Sequence, residues 1–191
     1  FNRGVDERIG RLMALGAVVG VVADHGMNDK SRADGKPNVI FLEDELARRF
    51  GEGAVRVICP ITDPFVRHHG ALGSFVRVYM RRAADLGAVM AACSGLPGVE
   101  LVMEGPAAAR RFELPPDLEG DFVVLSDAST VVGASRAEHD VSGLAGHRLR
   151  SHGGLGEQTV PFIVSRKLRS QYLAEKSQGL RNFDIFDAVL N

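Results

Sequence analysis

The sequence predicts an α/β protein, a mostly parallel sheet with helices on both faces, into which an α+β lobe is inserted. Three observations predict it. Residues 17–23 run apolar without alternation, as a strand covered on both faces of a parallel sheet does, and their length and valine content favour a strand over a buried helix. From about Ala54 the pattern breaks into short strands, which is how an α+β lobe reads. Near the end, residues 160–165 resemble a core strand again. The chain is thus expected to hold core at 1–53, the inserted lobe at 54–145 and a return to the core at 146–191.

Taken in order, Asp6 is expected to cap a helix whose apolar positions are Ile9, Leu12, Met13 and Leu15, with Gly16 as its stop. The strand at 17–23 follows and delivers Asp24 and His25 to its carboxyl end, where open α/β sheets collect ligands and catalytic groups. Residues 27–38, with their Asp-Gly and Lys-Pro pairs, read as a loop, and 39–50 as a helix ended by Gly51. The lobe carries strands at 55–61, 75–80, 99–103 and 122–125, with a helix around 84–92. Glycines 120, 133, 143 and 146 punctuate its exit, and 184–190 reads as a closing amphipathic helix capped by Asn182. There is no internal repeat.

Composition removes several function classes. Lys plus Arg number 23 against 24 for Asp plus Glu, so no field of one sign draws in nucleic acid or an anionic membrane surface. No apolar run approaches the roughly 20 residues that span a bilayer, and no leader pattern opens the chain; a cytoplasmic protein is expected. Cys59 and Cys93 lie in apolar surroundings without metal spacing and read as reduced, half-buried thiols. The chain opens on Phe1 in a helix-like segment, which suggests a piece of something longer.

Two short stretches carry chemistry. In Ala23-Asp24-His25-Gly26 a carboxylate and an imidazole, both good zinc or manganese ligands, precede a glycine that lets the chain turn beside an ion. Neighbours in an extended strand point to opposite faces, so both can reach one ion only if the chain leaves strand geometry there. Alone, the pair reads sooner as a turn cap and a solvated histidine than as a metal site. Ser151-His152-Gly153-Gly154 is a second histidine beside glycines, just before a core strand, and two such elements flanking a lobe are far less expected by chance. Glu157 and Thr159 follow it where a hydrogen bond would orient the imidazole.

Residues 23–28, Ala-Asp-His-Gly-Met-Asn, and 151–161, Ser-His-Gly-Gly-Leu-Gly-Glu-Gln-Thr-Val-Pro, resemble the two C-terminal metal motifs of the alkaline phosphatase superfamily. With Val-Ile-Cys-Pro-Ile-Thr-Asp-Pro at 57–64 and His68-His69-Gly70-Ala71-Leu72-Gly73-Ser74, the likeness is nearer to the phosphonoacetate hydrolase family than to the nucleotide phosphodiesterases. The resemblance implies an alkaline phosphatase-like core and two zinc ions about 4 Å apart. Asp24 and His25 would ligate the one that also binds the nucleophile, and His152 the other. It also implies that a first Asp ligand, a Thr or Ser nucleophile and an Asp/His pair lie upstream, outside these 191 residues. The isolated chain would then be a nearly inactive fragment.

The substrate implied is a small-molecule phosphonate. The upstream Thr would attack phosphorus, acetate would leave as an enolate whose charge must meet a cation, and hydrolysis of the phospho-Thr would release phosphate. Association with the missing N-terminal half, or a homo-oligomer, is expected of an exposed core. A phosphatase or phosphodiesterase of the same superfamily, or a non-catalytic α/β fragment, are the alternatives.

The remaining candidates read as structural. His68 and His69, in a Gly-bounded loop, read as solvated sooner than as substrate-facing residues of the lobe, His139 and His147 read as surface residues, and Asp127 reads as the start of a turn. A nucleotide loop lacks its Lys and full glycine fingerprint, and a serine hydrolase lacks its G-x-S-x-G elbow.

Overall fold

In the computed structural model, residues 2–60, 71–82, 85–144, 146–176 and 179–190 are described. In chain order they form α1 (Asn2–Ala14), β1 (Gly20–Val22), β2 (Asn28–Asp29), β3 (Val39–Phe41), α2 (Leu42–Phe50), β4 (Val55–Ile58) and β5 (Phe75–Met80). Then come α3 (Leu86–Ser94), β6 (Val99–Glu104), α4 (Gly105–Phe112), β7 (Phe122–Ser126), β8 (Val131–Gly133), β9 (Arg150–Ser151), β10 (Phe162–Val164), α5 (Ser170–Glu175) and α6 (Asp184–Leu190). They divide into two compact units, Phe1–Gly26 with Thr159–Asn191, and Met27–Gln158.

The second unit holds the cores. Its antiparallel sheet runs in the order β4-β5-β7-β6. Period-two burial sends Val55, Val57, Val76 and Val78 to one face, where Leu42 and Leu46 of α2 and Val89 and Cys93 of α3 meet them. The central strand β7 is buried along its whole length: Phe122 and Val124 join that cluster, while Val123 and Leu125 face Ala108 of α4 on the other side. Helices therefore cover both faces of this antiparallel layer, whose strands lie in the stretch expected as the α+β lobe. The sequence pattern does not foretell α4; its Pro at the first turn suits a helix start.

Residues 39–50, expected as one helix, divide in two. Val39–Phe41 is a strand paired in parallel with β8, and the helix begins only at Leu42, where Glu43, Asp44 and Glu45 put negative charge in its first turn. Its end is as expected: Gly51 adopts φ 88° and its N–H bonds the Ala47 carbonyl.

The first unit is thinner. The apolar run at 17–23 forms a strand only over Gly20–Val22, and this pairs antiparallel with β10, since an apolar pattern reports coverage of a strand but not the direction of its neighbour. Gly20 is required there: a Cβ would lie 2.7 Å from Val189 and 2.8 Å from Ile185 of α6. Helix α1 starts at Asn2, with Asp6 inside it rather than capping it. No side chain of α1 is buried, so packing does not select the Asp6 start. Helix α6 spans 184–190 as expected, and Asn182 Oδ1 accepts the Phe183 N–H before it. Among the described residues no helix is long and apolar enough to cross a membrane.

Candidate metal centre

Asp24 and His25 follow directly on β1, where the chain has left strand geometry. The Asp24 carboxylate folds back, its Oδ1 accepting the His25 N–H at 3.0 Å. His25 Nδ1 lies 2.9 Å from the Gly26 carbonyl oxygen; a carbonyl can only accept, so Nδ1 donates, which in a neutral ring leaves Nε2 to bind an ion, the arrangement usual in metal-ligating histidines. Nε2 stands 3.5 Å from Asp24 Oδ2. Two ligands at zinc bond lengths and a tetrahedral angle would be about 3.4 Å apart. The pair therefore already has nearly the spacing that one zinc ion requires. The Asp24 side chain is 85% exposed and that of His25 36%, so an ion could reach both.

His152 belongs to the second unit, on a turn fixed from several sides. Before it, β9 pairs with β2, and Ser151 Oγ donates to the Leu72 carbonyl at 2.6 Å. The His152 carbonyl accepts the Ser74 N–H at 2.9 Å. After it, Gly153 takes φ 104°, a conformation that favours glycine. Gly154 is packed so closely that a Cβ would lie 2.9 Å from Glu157 Oε2 and 3.0 Å from Ser74 Cβ. His152 itself is half-buried.

Glu157 is buried, but its work differs from the ring-orienting bond expected of it. Oε2 accepts the Gly154 N–H at 2.7 Å, and Oε1 accepts from Asn28 Nδ2 at 2.6 Å and from Lys30 Nζ at 2.9 Å. It holds backbone and a buried cation. Thr159 is exposed. Lys30, fully buried, is the residue sequence reasoning missed; a lysine in a stretch of turn residues reads as solvated. Its ammonium also donates to Ser74 Oγ at 2.8 Å and to the Asp127 carbonyl at 3.3 Å.

Asp127 starts a turn, as expected, its Oδ1 accepting from Ser129 N and Oγ at 2.9 Å. Partial burial pushes its carboxyl up, but hydrogen bonds from Thr130 and Ser129 and the Lys30 charge outweigh this and hold it below the ordinary range. His139 is buried rather than on the surface: Nε2 accepts the Ala134 N–H at 2.8 Å, and Gly133 leaves room for the ring. His147 is exposed. His68 and His69 lie outside the described residues. Both thiols are free, and burial pushes Cys59 up to about 11 and Cys93 up to about 12. Among the described residues no three His, Cys, Asp or Glu side chains gather where they could hold a metal ion.

No protein-family model matches the chain. A 29-residue stretch is 62% identical to phosphonoacetate hydrolase of Penicillium oxalicum, 15% of this chain and 40% of that protein. The phosphonoacetate hydrolase of Sinorhizobium meliloti, solved with phosphonoformate and with phosphonoacetate, is 45% identical with a TM-score of 0.81, over 97% of this chain and 44% of its own. Murine ectonucleotide pyrophosphatase/phosphodiesterase 5 shares the fold alone, at 16% identity and a TM-score of 0.54 over 86% of this chain and 40% of its own. The chain thus has an alkaline phosphatase-like fold, with motifs similar to those of that superfamily. Within it, the similarity along the chain is to phosphonoacetate hydrolase, of which the chain spans less than half the length.

Proposed function

We propose that the chain is the C-terminal portion of a zinc-dependent phosphonoacetate hydrolase, which cleaves the C–P bond to give acetate and phosphate. In it Asp24 and His25 hold one ion and His152 the other. The observation that carries this reading is the 45% identity along 97% of the chain to an enzyme solved with phosphonoacetate, and the 3.5 Å approach of Nε2 to Oδ2 supports it. When bound, such an ion pair supplies an activated nucleophile and positive charge for the leaving group.

The chain's own residues supply position. The Gly26 carbonyl accepts from His25 Nδ1 and orients the ring, and the Ser74 N–H holds the His152 peptide. The first ligand, the nucleophile and the second ion's remaining ligands would come from an N-terminal portion. That portion would also cover the exposed Leu12, Leu15, Phe186 and Leu190 of the first unit.

The test is zinc content and phosphate release from phosphonoacetate for the full gene product and its His152→Ala variant. About two zinc ions per chain, with release lost in the variant, is the expected result. Release from phosphate esters but not from phosphonoacetate would replace the substrate class. No zinc in the unaltered protein would overturn the reading.

A further inference from the structure

Lys30 and Glu157 form an ion pair with side chains 0% and 1% exposed. Such a pair is a poor source of stability: desolvating two charges offsets most of their attraction, and apolar residues of similar volume commonly replace a pair without loss. This pair is nonetheless fully satisfied. The three N–H bonds of the ammonium reach Ser74 Oγ, the Asp127 carbonyl and Glu157 Oε1, and both carboxylate oxygens accept. Its bonds converge on one peptide segment. On one side Lys30 holds the Ser74 hydroxyl, and the Ser74 N–H holds the His152 carbonyl. On the other it holds Glu157, and Glu157 holds the Gly154 N–H. The backbone around His152 is thus bracketed from both sides by one buried ammonium.

We propose that Lys30 and Glu157 are positioning residues for His152, setting the Gly153–Gly154 turn so that the imidazole meets its ion in one orientation. This rests on the reading of His152 as a zinc ligand. The fold tolerates loss of the charges; the ligand's placement does not.

The experiment uses the full gene product with Lys30→Met/Glu157→Met, which removes both charges at similar volume, and compares melting temperature, zinc affinity by chelator competition, kcat, KM and amide exchange at Gly153 and Gly154. The expected result is melting close to that of the unaltered protein with about 10- to 100-fold weaker zinc binding, lower kcat at little-changed KM, and faster exchange at the two glycines. Unaltered zinc affinity and exchange in a folded double variant would overturn the proposal. Should that variant not fold, Glu157→Gln decides. Its single acceptor oxygen cannot serve both Gly154 and Lys30, so about a 10-fold loss of zinc affinity is expected, and no loss would overturn the proposal. Failure of the function itself would show in the unaltered protein as absent zinc. The role of the pair toward an ion would then fall with the function, and exchange at the two glycines would report only whether the pair sets the turn.

Discussion

The two metal-motif segments stand on unlike ground. His152 is carried by a unit with three apolar clusters and a wholly buried central strand, and its loop is tied to buried polar groups. Asp24 and His25 are carried by a unit in which Tyr172, Ile185 and Ala188 are the buried apolar residues among those described. Their side chains make hydrogen bonds within three consecutive residues, and the Asp24 carbonyl accepts from Asn182 Nδ2 at 3.5 Å. A ligand set by its neighbours in sequence keeps its geometry when the surroundings loosen, whereas one set by distant contacts, 44 to 129 residues away in the network behind His152, depends on the whole unit. A defect in its own unit should therefore disable the His152 motif sooner than the Asp24-His25 pair.

The largest contrast comes from truncating one leucine in each unit. Leu46 is 2% exposed and Leu190 81%. Leu46→Ala should cost about 2–5 kcal/mol, and Leu190→Ala less than about 0.5 kcal/mol, read by urea unfolding followed by circular dichroism. Equal costs would mean that Leu190 is covered in solution, as by a partner or a second copy.

Glycines give a smaller contrast with opposite signs. Gly154→Ala forces a methyl against Glu157 Oε2 and Ser74 Cβ and should destabilise by about 1–3 kcal/mol. Gly10 lies inside α1, where an added methyl would meet nothing within 4 Å. Gly10→Ala should therefore stabilise by about 0.5–1 kcal/mol through helix propensity. Melting of the two variants checks both signs at once, and a stable Gly154→Ala would mean that the His152 turn yields easily.

The sequence carried the motif residues and little of what holds them. Asp24, His25 and His152 stand out in the sequence because their residue types beside glycine are chemically unusual. Lys30 does not, since a lysine among turn residues has no pattern that distinguishes burial from exposure; only the fold brings Glu157, Ser74 and Asp127 around it. The lobe's strands were legible from alternation and valine content, as 75–80 shows. The direction of β1 was not, because the partner β10 lies some 140 residues on. His139 misled for the reverse reason: beside Asp140 it reads as surface, yet Phe41 and Gly133 close around it.

The smallest effects are pH responses of single groups in each unit. In the first, the Asp184 carboxylate accepts from Lys176 Nζ at 2.6 Å and from the Arg181 N–H at 2.7 Å, and the Lys176 hydrogen bond above all holds it below the ordinary carboxylate range. A carboxyl lowered on folding contributes stability above its unfolded value, about 3.9, and loses it as pH falls through that value toward the folded one. In the second unit, burial raises Cys59 and Cys93 to about 11 and about 12. A thiol raised on folding contributes its stability below its unfolded value, about 8.5, and loses it as pH climbs toward the folded one. Acid should therefore remove the Asp184 contribution, and alkali those of Cys59 and Cys93. Asp184→Asn should lower the melting temperature at pH 7 by an amount that shrinks as pH falls below about 3.9. A deficit that persists unchanged at pH 3 would mean that Asp184 matters through its shape and hydrogen bonds rather than its charge.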